Sequence, residues 1–382
     1  MARPDIAWLP GDGIGREVLG AARLVLDATG FEARYMPGDI GWEFWRKEGT
    51  PLPDRTIELL RRTDCALFGA VTSKPEADAM AELSEAQRAR GARYSGAVVR
   101  IRRMFDLFTN LRPCRAYPGN PGNMREGVDI TIFRENTEGM YSGVEWDRIP
   151  QELYEIRGME RVPRQAAIAV RAITKRASHR IAKSAFEHAA SVPRRSWPAR
   201  AGIAGRDGER RRVTAVHKAN VLRATDGVFL SAVREVARDH PEIEYEEMLV
   251  DACAMRLVGD PLHFDVLVTT NMFGDILSDL CAQLVGGLGF APGANIGDDY
   301  AMFEPAHGSA PDIAGRGVAN PVAAVLSARL MLGWLGEKER AGRVEAAVAQ
   351  VIREGRVRTP DMGGSMGTMA LATAIAAKVG RI

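Results

Sequence analysis

The chain predicts an α/β fold of two units, and two observations carry that expectation. Short β-rich runs alternate with amphipathic helical stretches, the pattern of a largely parallel sheet covered by helices. With 382 residues, 46% of them hydrophobic and 26% charged, the chain is long and apolar enough for two substantial cores of an ordinary soluble protein.

The elements follow in chain order. DIAWL reads as a strand, IGREVLGAARLVLDAT as an amphipathic helix, and FEARYM and CALFGA as further strands, each bounded by glycine, proline or polar residues. The middle differs: VDITIFRE, GMYSGVEW and RQAAIAVRA are β-rich runs joined by polar loops, followed by the helix TKRASHRIAKSAFEHAA and the strand VTAVH. Alternation then returns with EIEYEEMLV, FDVLVTT, the helix NMFGDILSDLC, NPVAAVLSARLMLGWL and a charged helix from Lys338. The middle is therefore read as an inserted second unit. Residues 191–212, rich in arginine, glycine and proline, read as a solvated loop.

Composition narrows the partners. A net charge of +2, from 51 basic and 49 acidic residues, carries no polyanion signature, so nucleic acid is not an expected partner. Cys65, Cys114, Cys253 and Cys281 lie too far apart for a zinc or disulfide framework, which suits a reducing cytoplasm. No run has the length of a signal peptide or a membrane span, so neither export nor a membrane is expected.

Four groups of residues could carry chemistry. GDGIG, residues 11–15, sits at a strand-to-helix passage but has Arg16 three residues after its second glycine, where the dinucleotide fingerprint needs a third; it fails that fingerprint and leaves a tight turn as the alternative. Asp275 and Asp279 lie four residues apart on one helix face and should repel. With Asp251 they form an oxygen-only set suited to Mg²⁺ or Mn²⁺, against helix capping or surface charge. Arg102, Arg112 and Arg134 each fall near an element's end and could hold carboxylates bidentately if they share a cleft; otherwise they are surface residues. Tyr141 and Lys218 are proton-transfer candidates on the same condition.

GDGIG, DLFTNLRP, RENTEGMYSG, HKANVL, NMFGDILSDL and HGSAPDIAGRGVANP occur in one order and spacing over nearly the whole chain. In this the chain resembles the β-decarboxylating dehydrogenases: the isocitrate, 3-isopropylmalate, homoisocitrate and tartrate/D-malate enzymes. The resemblance implies a two-domain isocitrate/isopropylmalate dehydrogenase-like fold without the usual Rossmann topology, its active site in the cleft between domains. Residues 1–106 and 261–382 would form the first, cofactor-side domain, and residues 107–260 the second, with the dimer interface. A homodimer with shared active sites is implied, with a tetramer left open.

By the same resemblance Asp251, Asp275 and Asp279 hold the metal, one of them across the interface. Arg102, Arg112 and Arg134 clamp a malate, Lys218 helps deprotonate its hydroxyl, and Tyr141 protonates C3 after CO₂ leaves. Glu304, His307, Gly308, Ser309, Ala310, Asp312, Ile313 and Asn320 surround the adenosine half of the cofactor, while Ile14, Thr72 and Asn220 join its binding site from elsewhere. Asp312 can accept ribose hydroxyls and would repel a 2′-phosphate, and NADP-dependent relatives usually carry lysine and tyrosine where this chain has Asp312 and Ile313; NAD is favoured. Val98 and Val99 stand where isopropylmalate enzymes carry leucines, so a 3-alkylmalate is the expected substrate. Alternatives are homoisocitrate or isocitrate, tartrate or D-malate, a malate with another anionic substituent met by Arg88, Arg90 or Arg93, and, remotely, a non-catalytic regulatory subunit.

Overall fold

The structure, a computed structural model, describes residues 3–191 and 211–381. The arginine-rich segment lies almost wholly outside the described residues. Twelve strands occur among them: β1 (Asp5–Gly11), β2 (Arg34–Pro37), β3 (Cys65–Ala70), β4 (Thr109–Arg115), β5 (Asp129–Glu135), β6 (Glu145–Trp146), β7 (Ile168–Ala169), β8 (Arg212–His217), β9 (Glu244–Leu249), β10 (Val266–Thr269), β11 (Pro292–Ile296) and β12 (Ala301–Pro305). Ten of them make one continuous sheet in the order β2-β1-β3-β12-β11-β4-β5-β10-β8-β9.

Two parallel blocks occupy its ends, β2-β1-β3-β12 and β5-β10-β8-β9. CALFGA and VLVT are buried at every position, as strands covered on both faces must be. Antiparallel pairing of β12 with β11, β11 with β4, and β4 with β5 joins the blocks, so they run in opposite directions. β10 is hydrogen bonded between β5 and β8, and the helix Asn271–Leu284 packs on the same core as β4 and β5. Residues 266–285 thus stack with the middle of the chain. The β-rich GMYSGVEW forms one turn of 3₁₀-helix, Met140–Ser142, and the two-residue β6, because Gly139 and Gly143 adopt positive φ of 84° and 68°.

Helices cover both faces. Gly15–Ala28, Val322–Trp334, Lys338–Glu354 and Thr368–Val379 share one core with β1, β3 and β12, while Asp54–Arg61 and Ala97–Met104 pack on the opposite face. Across the joint, Lys175–Ser191 and Arg223–Arg238 continue the first face, and Val250–Gly259 and Asn271–Leu284 the second. The last two helices touch, yet leave Met255, Val258, Met272 and Ile276 exposed. No helix among the described residues is long and apolar enough to cross a membrane.

Phe303, fully buried in β12, tests the first core. Phe303→Ala is expected to lower the unfolding free energy by about 3–5 kcal/mol, seen as a lower urea midpoint at an unchanged slope.

Candidate active site

Strand alternation sorts the joint into two faces. On β4, Leu111, Pro113 and Arg115 point to one side, and Asn110 and Arg112 to the other; on β5, Arg134 joins the second side. Asn110 stands opposite Arg134 in the register, and Asn295 of β11 stands opposite Asn110. A polar row therefore crosses the centre of the sheet where its strand order reverses, the usual place for a ligand in such sheets.

Arg102, Arg112 and Arg134 converge there, each less than a tenth exposed. Arg102 donates through Nη2 to Glu304 Oε1 at 2.9 Å, and its buried Nε has no protein partner among the described residues. Arg112 donates through Nε to Asn110 Oδ1 at 2.8 Å. Arg134 spends Nε and Nη2 on Asn271 Oδ1, at 2.9 and 2.7 Å, and Nη1 on Asp275. Burial lowers the Arg112 and Arg134 guanidinium pKa values, Arg134 to about 10 with the Arg102 charge adding, which leaves Arg134 a cation at neutral pH.

Tyr141, in the 3₁₀ turn, donates its hydroxyl to Asp275. Burial raises its pKa, and the hydrogen bond to that carboxylate raises it further, so the phenol keeps its proton. The two aspartates one turn apart are shifted in opposite directions. Burial pushes Asp275 up, but Arg134, the Tyr141 hydroxyl, Arg112 and Arg102 outweigh it and hold the carboxyl below its usual range. Asp279 is raised by burial, and the neighbouring Asp275 adds to the rise against Arg112 and Arg134.

A second group gathers at GDGIG. Asp12 accepts the backbone N–H groups of Trp42 and Thr72, at 2.8 and 2.9 Å, while the Ile14 N–H donates to the Ser309 carbonyl at 2.9 Å. The hydroxyls of Thr72 and Ser309 lie 2.7 Å apart. A Cβ on Gly13 would fall 1.9 Å from the Ser309 oxygen, so only glycine lets the loops meet. Ala310, at φ 39°, follows Ser309, and Asp312 is exposed. His307 is hydrogen bonded to Gly308, and Asn320 holds Asp361.

A third group stands apart. Lys218 pairs with Asp251, which is largely exposed at the start of Val250–Gly259, and Asn220 is exposed beside them. Among the described residues no three His, Cys, Asp or Glu side chains converge to hold a metal, so one chain does not bring Asp251 to Asp275 and Asp279. Val98 packs in part on the core and Val99 is half-buried, whereas Arg88, Arg90 and Arg93 face solvent. Sequence reading passed over Asn110, Asn271, Asn295 and Asp12. For Asn110 a signal exists: it shares Arg112's face within DLFTNLRP.

The site is thus cationic and carboxylate-bearing, and it lies at the joint of a mixed α/β sheet. The family model described as isocitrate/isopropylmalate dehydrogenase matches residues 5–377. An isocitrate/homoisocitrate dehydrogenase of Thermus thermophilus is 46% identical over 97% of both chains, and a 3-isopropylmalate dehydrogenase of Archaeoglobus fulgidus is 44% identical over 97% of this chain and 98% of its own. The solved isocitrate dehydrogenase of Methylococcus capsulatus superposes with a TM-score of 0.83 at 38% identity, over 99% of each chain. The chain belongs to the isocitrate/isopropylmalate dehydrogenase family, and it is a decarboxylating dehydrogenase.

Gly274 supports Arg134 closely: a Cβ there would lie 2.6 Å from Arg134 Cβ and Cγ. Gly274→Ala is expected to displace that guanidinium and lower dehydrogenase kcat/KM at least about tenfold, roughly 1.4 kcal/mol, with an unchanged circular-dichroism spectrum.

Proposed function

We propose that the protein catalyses NAD-dependent, divalent-metal-dependent oxidative decarboxylation of a 3-substituted malate to a 2-oxo acid and CO₂. The observation that carries this reading is the cluster in which Arg134 and Tyr141 share the part-exposed Asp275 carboxylate beside the buried Arg102 and Arg112 and the exposed Asp279. The three guanidinium groups hold the malate carboxylates and orient the bond to be broken. The donor set fits Mg²⁺ or Mn²⁺: oxygen only, with Asp275 and Asp279 from one chain and Asp251 from a second copy. Lys218 arrives with that Asp251, and the exposed Met255, Val258, Met272 and Ile276 give the two copies an apolar contact, making a homodimer.

A nicotinamide held beside Ile14 and Thr72 would supply the hydride acceptor for C2, and a divalent ion held by Asp275, Asp279 and the second copy's Asp251 would supply Lewis-acid polarisation. Lys218 accepts the hydroxyl proton. Oxidation places a ketone β to the carboxylate on C3, that carboxylate leaves as CO₂, and Tyr141 returns a proton to C3. NAD over NADP rests on the exposed Asp312, whose carboxylate would meet ribose hydroxyls and repel a 2′-phosphate.

The substituent on C3 is read as alkyl, from Val98 and Val99 on the helix that carries Arg102. A second reading, isocitrate or homoisocitrate, is favoured by the name of the Thermus thermophilus relative. A panel of 3-substituted malates with NAD and Mn²⁺ decides: 3-isopropylmalate is expected to give the highest kcat/KM. A value for isocitrate or homoisocitrate about tenfold above it, equal to some 1.4 kcal/mol of transition-state binding, would replace the alkyl reading.

Two further outcomes are expected. NAD should outperform NADP, and Asp312→Lys with Ile313→Tyr should narrow or invert the kcat/KM ratio; a wild-type preference for NADP would remove the cofactor reading. Lys218→Met and Arg134→Met should each be inactive alone. Unfolded and refolded together they should regain roughly a quarter of wild-type activity, because half the dimers are mixed and each mixed dimer holds one intact site. No recovery, with mixed dimers present by mass spectrometry, would place Lys218 in the site of its own chain.

A further inference from the structure

Beneath the arginines runs a line of buried side chains that the reaction itself does not use. Asn110 and Asn295 are fully buried and Asn136 is nearly so. Asn295 Nδ2 donates to Glu304 Oε1 at 2.8 Å, and its Oδ1 accepts from Asn110 Nδ2 at 2.8 Å and Asn136 Nδ2 at 3.0 Å. Asn110 Oδ1 in turn accepts from Arg112 Nε, and Glu304 Oε1 accepts from Arg102 Nη2. A hydrogen-bonded path thus joins Arg102 to Arg112 through Glu304, Asn295 and Asn110, crossing from β12 through β11 to β4.

The direction of each amide in this path is dictated by its ends. A carboxylate only accepts and a guanidinium only donates. Glu304 therefore demands the NH₂ of Asn295, which turns the Asn295 oxygen toward Asn110. Asn110 must then present its own NH₂ to Asn295 and its oxygen to Arg112. Neither amide can flip without setting donor against donor or acceptor against acceptor in a buried site, where an unmade hydrogen bond costs most.

We propose that Asn295, acting with Asn110, is a positioning residue: it fixes the place of Arg112 relative to Arg102 by linking Asn110 to Glu304. This rests on the reading that both arginines hold the malate carboxylates. The relay spans the seam between the two parallel blocks, so it also keeps the part of the clamp on β4 in register with the part beside β12. Its loss should be felt in substrate binding before it is felt in cofactor binding or in the chemical step.

The test is steady-state kinetics of the full-length enzyme with the best malate of the panel. Asn295→Leu keeps the branched shape and removes both hydrogen-bonding groups. It is expected to raise the substrate KM about tenfold or more, with the NAD KM and kcat changed less than about threefold. Asn295→Asp keeps the acceptor for Asn110 and sets a carboxylate against Glu304; it carries the same expectation if the leucine variant does not fold. An unchanged substrate KM in a folded variant, or equal rises in both KM values, would overturn the proposal. A wild-type chain inert toward every malate would instead count against the proposed function. The relay is then read from a crystal structure of Asn295→Leu, or of Asn295→Asp should the leucine variant not fold: Arg112 is expected to leave its present place, and an unmoved side chain would overturn the proposal.

Discussion

Three guanidinium groups buried within one region of a protein interior repel one another and lose their hydration, and the centre of this molecule is organised around offsetting that cost. Two carboxylates, Glu304 and Asp275, supply opposite charge to Arg102 and Arg134, while the amides of Asn110 and Asn271 take up N–H groups of Arg112 and Arg134. Each of these partners is held by a strand or by the first turns of a helix. The three guanidinium groups are consequently held in place by groups of the protein itself.

The same economy sets the two aspartates of one helix apart. Asp275, depressed by its arginine and tyrosine neighbours, contributes stability above the ordinary carboxylate range and loses it as the pH falls through its lowered value. Asp279 has the opposite sign: its raised value means that ionisation in the folded chain costs stability as the pH rises. Positive charge placed beside Asp279 would relieve that cost, and a divalent cation is the reading given to it here.

Much of the fold was legible because buried parallel strands are written as apolar runs. CALFGA and FDVLVTT could hardly be anything else once bounded by polar residues, and the two aspartates announced themselves by their spacing on an apolar helix. β11 and β12 were not legible. PGANI and AMFEP carry proline, glycine, asparagine and glutamate, and become strands whose polar side chains find partners on neighbouring strands, Asn295 with Asn110 and Glu304 with Asn295, a long-range fact with no local trace. The grouping of β10 with β5 and β8 was hidden for the same reason, since a sequence shows the order of strands and not their neighbours. Nor does a sequence show that Asp251 stands apart from Asp275 and Asp279 in the folded chain, because spacing along a chain carries no information about distance in space.

The strand order has a consequence for the birth of the protein. β3 pairs with β12, so residues Ala66 and Leu67 wait for Met302 and Phe303, and one core unites Ile6 with Val379. On the ribosome the block β5-β10-β8-β9 has all its strands once Thr269 has emerged, whereas β1, β2 and β3, made first, cannot close their core until the last helices appear. Closing so long a loop is entropically slow, and the early strands stay open to other partners meanwhile. Nascent chains of this protein should therefore depend on chaperones through their first segment, although the middle segment is the one that looks inserted.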